Sequence, residues 1–358
     1  MRYGALGIPY VHLSTFVGRK GLKHDMSQAR RLFKSLKQHS AVFVRDPRIL
    51  PSDNERYLNM LEDYFGNPYK DRVHDQRPDL GYHVGVSPPY IERPPDYRGF
   101  IARMPPEYRP YVTPCNCKGD PGERFSWPIG ERPASTAFPV QNAADRVIPS
   151  GFKNEWASTM DALGEKMLET ARTVCEMLAL AQGLKRDTFS RLLKKAPHLL
   201  VPSGVNLREH GKKDTIIKAF NTDLNALTIH GKSRFPGLII WGPDGQPKKV
   251  CVPDGWLLVQ VGQQLEWLTG GKLLASFSEV VSLPETIKAM EYSEQEGWPL
   301  VSVSSTFFVH FRSDHMLRPL PMFLEGLNED HLAAIDSLYP PILVGDQVRH
   351  ELKVRGFA

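Results

Sequence analysis

A mainly β fold with flanking helices is predicted by three features of the 358-residue sequence. From about Ile216 onward, short apolar runs alternate with glycine-marked turns at the spacing of an all-β sandwich or barrel. Before them comes one long amphipathic helix, and before that a proline-rich stretch that excludes regular helix over most of its length.

In chain order, Gly7 to Ser14 reads as a short strand closed by a polar cap, Ser27 to Gln38 as a helix and Ala41 to Arg45 as a second strand. Between Ser52 and Phe65 the apolar positions Tyr57, Met60, Leu61, Tyr64 and Phe65 recur at helical spacing until Gly66-Asn67-Pro68 stops them. Ser87 to Pro149 holds 13 of the 30 prolines, so an extended connecting segment is expected. Tyr108, Tyr111, Phe125 and Trp127 should pack it onto the fold, because disordered segments are poor in aromatics. Trp156, Met160, Leu163, Met167, Ala171, Val174 and Leu178 mark a helix that runs to Gly183 and buries one stripe against a sheet. A second helix is expected over Asp187 to Lys195, ended by Ala196-Pro197. Strands follow at Leu224 to His230, Leu238 to Trp241, Trp256 to Val261, Lys272 to Val281 and Val301 to Phe311. Trp256 and Trp267 read as core aromatics, and Arg312, Asp314 and Arg318 as a surface charge network.

With 41% hydrophobic and 24% charged residues, the composition is that of an ordinary globular protein, and no apolar run nears the ~18 residues of a membrane span. The formal charge of +5 is small for the length and its lysines and arginines are interspersed with acids, so nucleic-acid binding is not indicated. Lys194-Lys195 and Lys212-Lys213 read as solvated faces. Cys115, Cys117, Cys175 and Cys251 are too few for a disulfide framework, which points to a reducing compartment. Cys115-Asn116-Cys117 lacks both the spacing and the second ligand pair of a zinc site. Met1 to His24 carries Arg2, Arg19, Lys20 and Lys23 without an acid, as a mitochondrial transit peptide does. The strand at Gly7 to Ser14 instead favours a structural N-terminus in a cytoplasmic protein, with an organelle as the alternative.

The stretch Phe220-Asn221-Thr222-Asp223-Leu224-Asn225-Ala226-Leu227-Thr228-Ile229-His230-Gly231, continued through Arg234-Phe235-Pro236-Gly237-Leu238, resembles the metal-binding strand of isopenicillin-N-synthase-like 2-oxoglutarate/Fe(II) dioxygenases. The likeness runs on in register through Val252-Pro253-Asp254-Gly255, Val261-Gly262-Gln263-Gln264-Leu265-Glu266-Trp267-Leu268-Thr269-Gly270-Gly271, Phe277-Ser278-Glu279-Val280-Val281 and Ser304-Ser305-Thr306-Phe307-Phe308. Upstream, Gly7 to Ser14 looks like the family's N-terminal strand, and Arg124-Phe125-Ser126-Trp127 with Gly151-Phe152 and the Trp156 helix looks like its helical lid and support. The resemblance implies a double-stranded β-helix (jelly roll) in one compact unit: an N-terminal region over 1–150, supporting helices over 151–200, a jelly-roll core over 201–325 and a C-terminal extension over 326–358.

The family holds iron with a His-x-Asp pair and a distal histidine, leaving coordination positions for 2-oxoglutarate and oxygen. Here those positions fall on Asn221, Asp223 and Ser278, a degenerate metal site in which one good ligand of three remains. The Arg-x-Ser pair that grips the cosubstrate carboxylate falls on Ser302 and Ser304, so the charged fork is gone. His230 and His310 do not reach the centre along an extended strand without a chain reversal. Asp223 is expected to accept hydrogen bonds from neighbouring amides or from Asn221. The implied protein is a pseudoenzyme, with no catalytic residue and no cofactor, serving as a structural or partner-binding subunit of a larger assembly. The alternatives are an active Fe(II)- and 2-oxoglutarate-dependent oxidoreductase with an unusual metal site, and a protein that binds a small molecule in the emptied barrel mouth.

Overall fold

The computed structural model describes residues 7–17, 25–111, 119–143 and 145–357. The Cys115-Asn116-Cys117 pair and the basic residues of the N-terminal stretch lie outside them. The first part of the chain contains β1 (Tyr10–His12), α1 (Met26–His39), β2 (Ala41–Arg45), α2 (Pro51–Gly66), α3 (Tyr69–Arg72), β3 (Gly85–Ser87), α4 (Arg98–Ala102), β4 (Glu123–Ile129) and α5 (Pro139–Ala143). There follow α6 (Trp156–Ala181), β5 (His198–Leu200), β6 (Ser203–Asn206), α7 (Leu207–His210), β7 (Ile216–Thr222), β8 (Leu227–His230), β9 (Leu238–Trp241), β10 (Pro247–Val250) and β11 (Leu257–Val261). The last part has α8 (Gln263–Leu268), β12 (Phe277–Val281), α9 (Pro284–Gln295), β13 (Val301–Val303), β14 (Thr306–Val309), β15 (Met316–Leu317), α10 (Glu329–Leu338), β16 (Ile342–Leu343) and α11 (Val344–Val354).

Two sheets make the jelly roll. The larger runs β1-β2-β11-β8-β14-β5-β4-β6-β13 with β3 beside β4, and the smaller runs β10-β9-β12-β7. Consecutive strands β7 and β8 fall in different sheets, so the chain crosses between layers at Asp223 to Ala226. The long helices α1, α2 and α6 back the larger sheet, while α4 packs on the outer face of the smaller one. The expected stripe of α6 is buried in full, Trp156 through Leu178 lying within the main core, and its surface packs on α1, α2 and β4. α2 starts on Pro51 with the Asp53 carboxylate accepting from the Leu50 amide at 2.8 Å, a reciprocal cap that satisfies an otherwise orphaned donor.

Several expectations change. Arg124 to Trp127 is no lid: it lies in β4, which pairs with β3, β5 and β6 inside the larger sheet. Its alternation of buried Phe125, Trp127 and Ile129 is a strand period that the surrounding prolines obscured. The helix expected over Asp187 to Lys195 shrinks to a 3₁₀ turn at Ser190–Leu193, because Lys195 adopts a φ of 58° and Leu192 and Leu193 are already anchored in the core. The run Val301 to Phe311 breaks at Ser304-Ser305, and Lys272 to Val281 narrows to β12, its start being a loop whose Ala275 amide donates to Glu266 Oε2 at 2.6 Å. Asp314 joins no arginine network; it accepts from Thr136 Oγ1 at 2.6 Å and from the Ala137 amide at 2.8 Å. Trp256 and Trp267 are half-buried, the former edge-on to Tyr10 and the latter donating to the Pro340 carbonyl at 3.1 Å.

Close approach between α2 and β6 depends on Gly204, where a Cβ would stand 2.1 Å from Phe65 Cγ. Gly204→Ala is expected to cost about 2 kcal/mol, since a well-packed aromatic must be displaced. Urea unfolding measures this, and an unchanged midpoint would show that α2 is free to retreat.

Candidate functional site

β7 and β12 pair antiparallel with Ser278 directly opposite Asn221. From there the register advances two residues on β12, to Val280, but three on β7, to Lys218. This bulge turns Lys218 towards the layer interior, beside the wall that Ser278 and Val280 form. Asn221 is buried at 1% exposure; its Nδ2 donates to the Ala219 carbonyl at 3.1 Å and its Oδ1 has no partner among the described residues.

Asp223 lies one residue beyond β7 with its side chain 11% exposed. Lys218 Nζ stands 3.5 Å from one carboxylate oxygen, and Thr228 Oγ1 donates to the other at 2.8 Å. The expected donors, Asn221 and nearby amides, are thus replaced by a lysine and a threonine. Burial opposes ionisation of Asp223, yet Lys218, His230, Thr228 and Arg355 hold its carboxyl down at about 2.

The layer crossing after Asp223 is the chain reversal that brings β8 back over the end of β7. It places His230, thought too distant, within electrostatic range of Asp223. Burial lowers His230 to about 4 against the opposing pull of Asp223; Nδ1 lies 3.2 Å from Thr306 Oγ1, and Nε2 is buried without a hydrogen-bond partner. His310 sits elsewhere, its Nδ1 3.3 Å from Gln264 Nε2. Among the described residues no three histidine, cysteine or acidic side chains are grouped to hold a metal ion.

Ser302 on β13 is paired with Val205 of β6, and the Ser304 hydroxyl accepts from the Ser203 amide at 3.0 Å. Both serines line a cavity of about 140 Å³ between the sheets, together with Ser278, His230 and Lys218. A second cavity of about 90 Å³ opens on the other side and includes Asp223. Lys218, Arg124 and Glu92 border both. Glu92 is clasped by Arg124 and lies 3.5 Å from Arg355; burial opposes its ionisation, but these cations bring it to about 2. Asp120, buried beside Glu92, is pushed up to about 7 by that burial first and by the neighbouring carboxylate second. Arg355 of the C-terminal segment also donates to the Thr222 carbonyl at 2.7 Å, tying that segment to the end of β7. Sequence reasoning missed this ionic cluster; the only signal was a charged residue inside the otherwise apolar run Ile216-Ile217-Lys218-Ala219-Phe220.

The donor set does not fit ferrous iron. A neutral amide oxygen, a neutral hydroxyl and a carboxylate paired with an ammonium offer a single anionic group, and that one is already paired. Ser302, which the resemblance sets at the place of a cosubstrate-gripping guanidinium, supplies neutral hydrogen bonding alone.

On the outer face of β12, Glu279 is fully buried and receives the Tyr111 amide at 3.1 Å. Burial raises its carboxyl to about 8, the Tyr111 amide opposing. The folded chain keeps a proton there that the unfolded chain releases near 4.5, so stability falls as pH rises from that value through about 8. Glu279→Gln is expected to remove this loss and to exceed the parent by ~2 kcal/mol or more at pH 9, with near-equality at pH 4. Parallel denaturant titrations at the two pH values decide it; equal slopes with pH would contradict it.

The fold so assembled is the double-stranded β-helix of the 2OG-Fe(II) oxygenases. No sequence-family profile and no curated protein matches the chain. Among solved structures it is similar to a 2OG-Fe(II) oxygenase family protein from Caulobacter crescentus, at 19% identity and a TM-score of 0.72 over 97% of this chain and 98% of that one. It is also similar to a full-length Neurospora crassa protein solved with alpha-KG, at 16% identity and a TM-score of 0.70 over 97% and 95% of the two chains. A rice dioxygenase for auxin oxidation aligns at 16% identity with a TM-score of 0.63, again over 97% and 95%.

Proposed function

We propose that this chain is a catalytically inactive protein on a dioxygenase scaffold, a pseudoenzyme that serves as a structural or partner-binding subunit of a larger assembly. One observation carries the reading: Asn221 and Ser278 face each other where the fold's iron ligands belong, while Asp223 is paired with Lys218. A tethered ammonium supplies the positive charge that a metal would bring, and it offers no coordination chemistry. Neither iron nor 2-oxoglutarate is expected as a cofactor.

A role in assembly is supported by what the surface leaves uncovered. α10 has no buried residue and ends in Leu338, which is 67% exposed. Tyr292 and Trp298 form an edge-to-face pair and are 54% and 46% exposed. Exposed aromatic and aliphatic side chains of this kind favour protein contacts. Cys175 and Cys251 are free thiols, in keeping with a reducing compartment such as the cytoplasm. Among the described residues no helix is long and apolar enough to cross a membrane.

Metal analysis of the purified full chain, with an assay for succinate formed from 2-oxoglutarate, tests the proposal. Background iron and no succinate are expected. Stoichiometric iron, or turnover above a protein-free control, would overturn it.

A further inference from the structure

The cavity between the sheets keeps a chemistry of its own, independent of any metal. Lys218 Nζ has three donors, yet among the described residues it makes no hydrogen bond; it pairs with Asp223 at 3.5 Å and also acts on Glu92 and Asp120, which line the same cavity. The side chain remains 25% exposed although it lies within the barrel, so part of its surface faces the cavities it borders. Arg124, the other cation there, is spent on Glu92 and lies 5.5 Å over the Phe308 ring. His230 lines the same cavity, and Ser278 and Ser302 add hydroxyls. The rest of the lining is largely apolar, with Val205 and Phe235 and with Val280, the cross-strand neighbour of Lys218.

A desolvated ammonium with unfilled donors favours an anionic acceptor over a neutral one. A volume of about 140 Å³ is close to that of an engineered protein cavity that holds benzene, which sets the size of the apolar part. A dicarboxylate would leave its second charge on hydroxyls alone, and a phosphate dianion would need more compensation than this partly neutralised cation gives. We propose that this cavity is a metal-independent binding site for a compact amphipathic monocarboxylate, with its carboxylate on Lys218 and its aromatic or aliphatic body against Val205, Phe235 and Val280. The inference rests on the inactive reading above, since a resident metal would claim the same wall.

Benzoate is a suitable probe, with benzamide as its uncharged match and 2-oxoglutarate as the dicarboxylate, each titrated calorimetrically into the full chain in EDTA. Benzoate is expected to bind at least tenfold tighter than either and to raise the melting temperature. Lys218→Met should weaken benzoate at least tenfold; because it strands Asp223, the double variant Lys218→Met/Asp223→Asn keeps that corner neutral and should show the same loss. Val205→Trp, which fills the apolar part from β6, should abolish binding while leaving the charged groups in place. Equal binding of benzamide, unchanged affinity in the double variant, or no benzoate binding at millimolar concentration would overturn the site. Binding that appears only with added Fe(II) would overturn both this inference and the inactive reading. Stoichiometric iron in the purified chain, with benzoate binding that still depends on Lys218, would sink the inactive reading alone and uphold the site.

Discussion

Asn221→His, Ser278→His and Ser302→Arg combined with Lys218→Ala are expected to give a chain that binds Fe(II) tightly, whereas the same set with Lys218 retained should bind it about a hundredfold more weakly. The first two substitutions place imidazoles on directly opposed residues of β7 and β12, beside the carboxylate that already ends β7. Imidazole, imidazole and carboxylate on one face suit ferrous iron. The lysine decides the outcome. Unit charges about 4 Å apart repel by roughly 4 kcal/mol at an effective dielectric near 20, and a dication feels more, although a long side chain relieves part of this by swinging away. Equilibrium dialysis with Fe(II) under anaerobic conditions reads the difference. Equal binding with and without Lys218 would show that the ammonium is a bystander, and absence of binding in both would show that the pocket no longer has room for a metal.

Trp156→Ala is expected to destabilise the chain by about 3–5 kcal/mol, enough to unfold a domain of ordinary stability at moderate temperature. Trp156 is fully buried at the start of α6, and its ring lies 4.8 Å from Tyr64 of α2, 4.6 Å from Phe125 of β4 and 5.7 Å from Phe152. It therefore joins the helical layer to the sheet whose other face lines the cavity. Its indole Nε1 is buried without a partner among the described residues, so the ring's worth is in packing rather than hydrogen bonding. Trp156→Phe, which keeps an aromatic ring and removes the orphaned donor, should cost less than about 1.5 kcal/mol. Guanidinium unfolding of the two variants separates these contributions; a phenylalanine as damaging as alanine would mean that the indole has a hydrogen-bond partner after all.

Periodicity revealed what repeats. The α6 stripe, α2 read over Ser52 to Phe65, and β2, β9 and β11 were legible because one burial pattern persists over several residues. β4 was not, because only three buried positions alternate between prolines and the reading was drawn towards extended coil. The resemblance singled out Asn221, Asp223, Ser278, Ser302 and Ser304, and the structure brings Asn221 against Ser278 and gathers Ser278, Ser302 and Ser304 around one cavity. The ionic cluster was illegible: Glu92, Asp120, Arg124, Lys218 and Arg355 are scattered over the chain, and nothing local says that they meet. His230 was misjudged because strand arithmetic assumes a straight path, whereas the chain turns between layers just before it.

The bulge between Lys218 and Asn221 makes this part of the chain more sensitive to length than to composition. Were β7 paired regularly at the same length, the odd spacing would turn the ammonium to the outer layer, into the stack where Phe220 meets Phe277 at 4.8 Å. The aspartate would then keep a threonine, a neutral imidazole and the more distant Arg355 as its partners. Point substitutions at 219 or 220 leave the two-against-three frame intact, whereas a change of length there resets it.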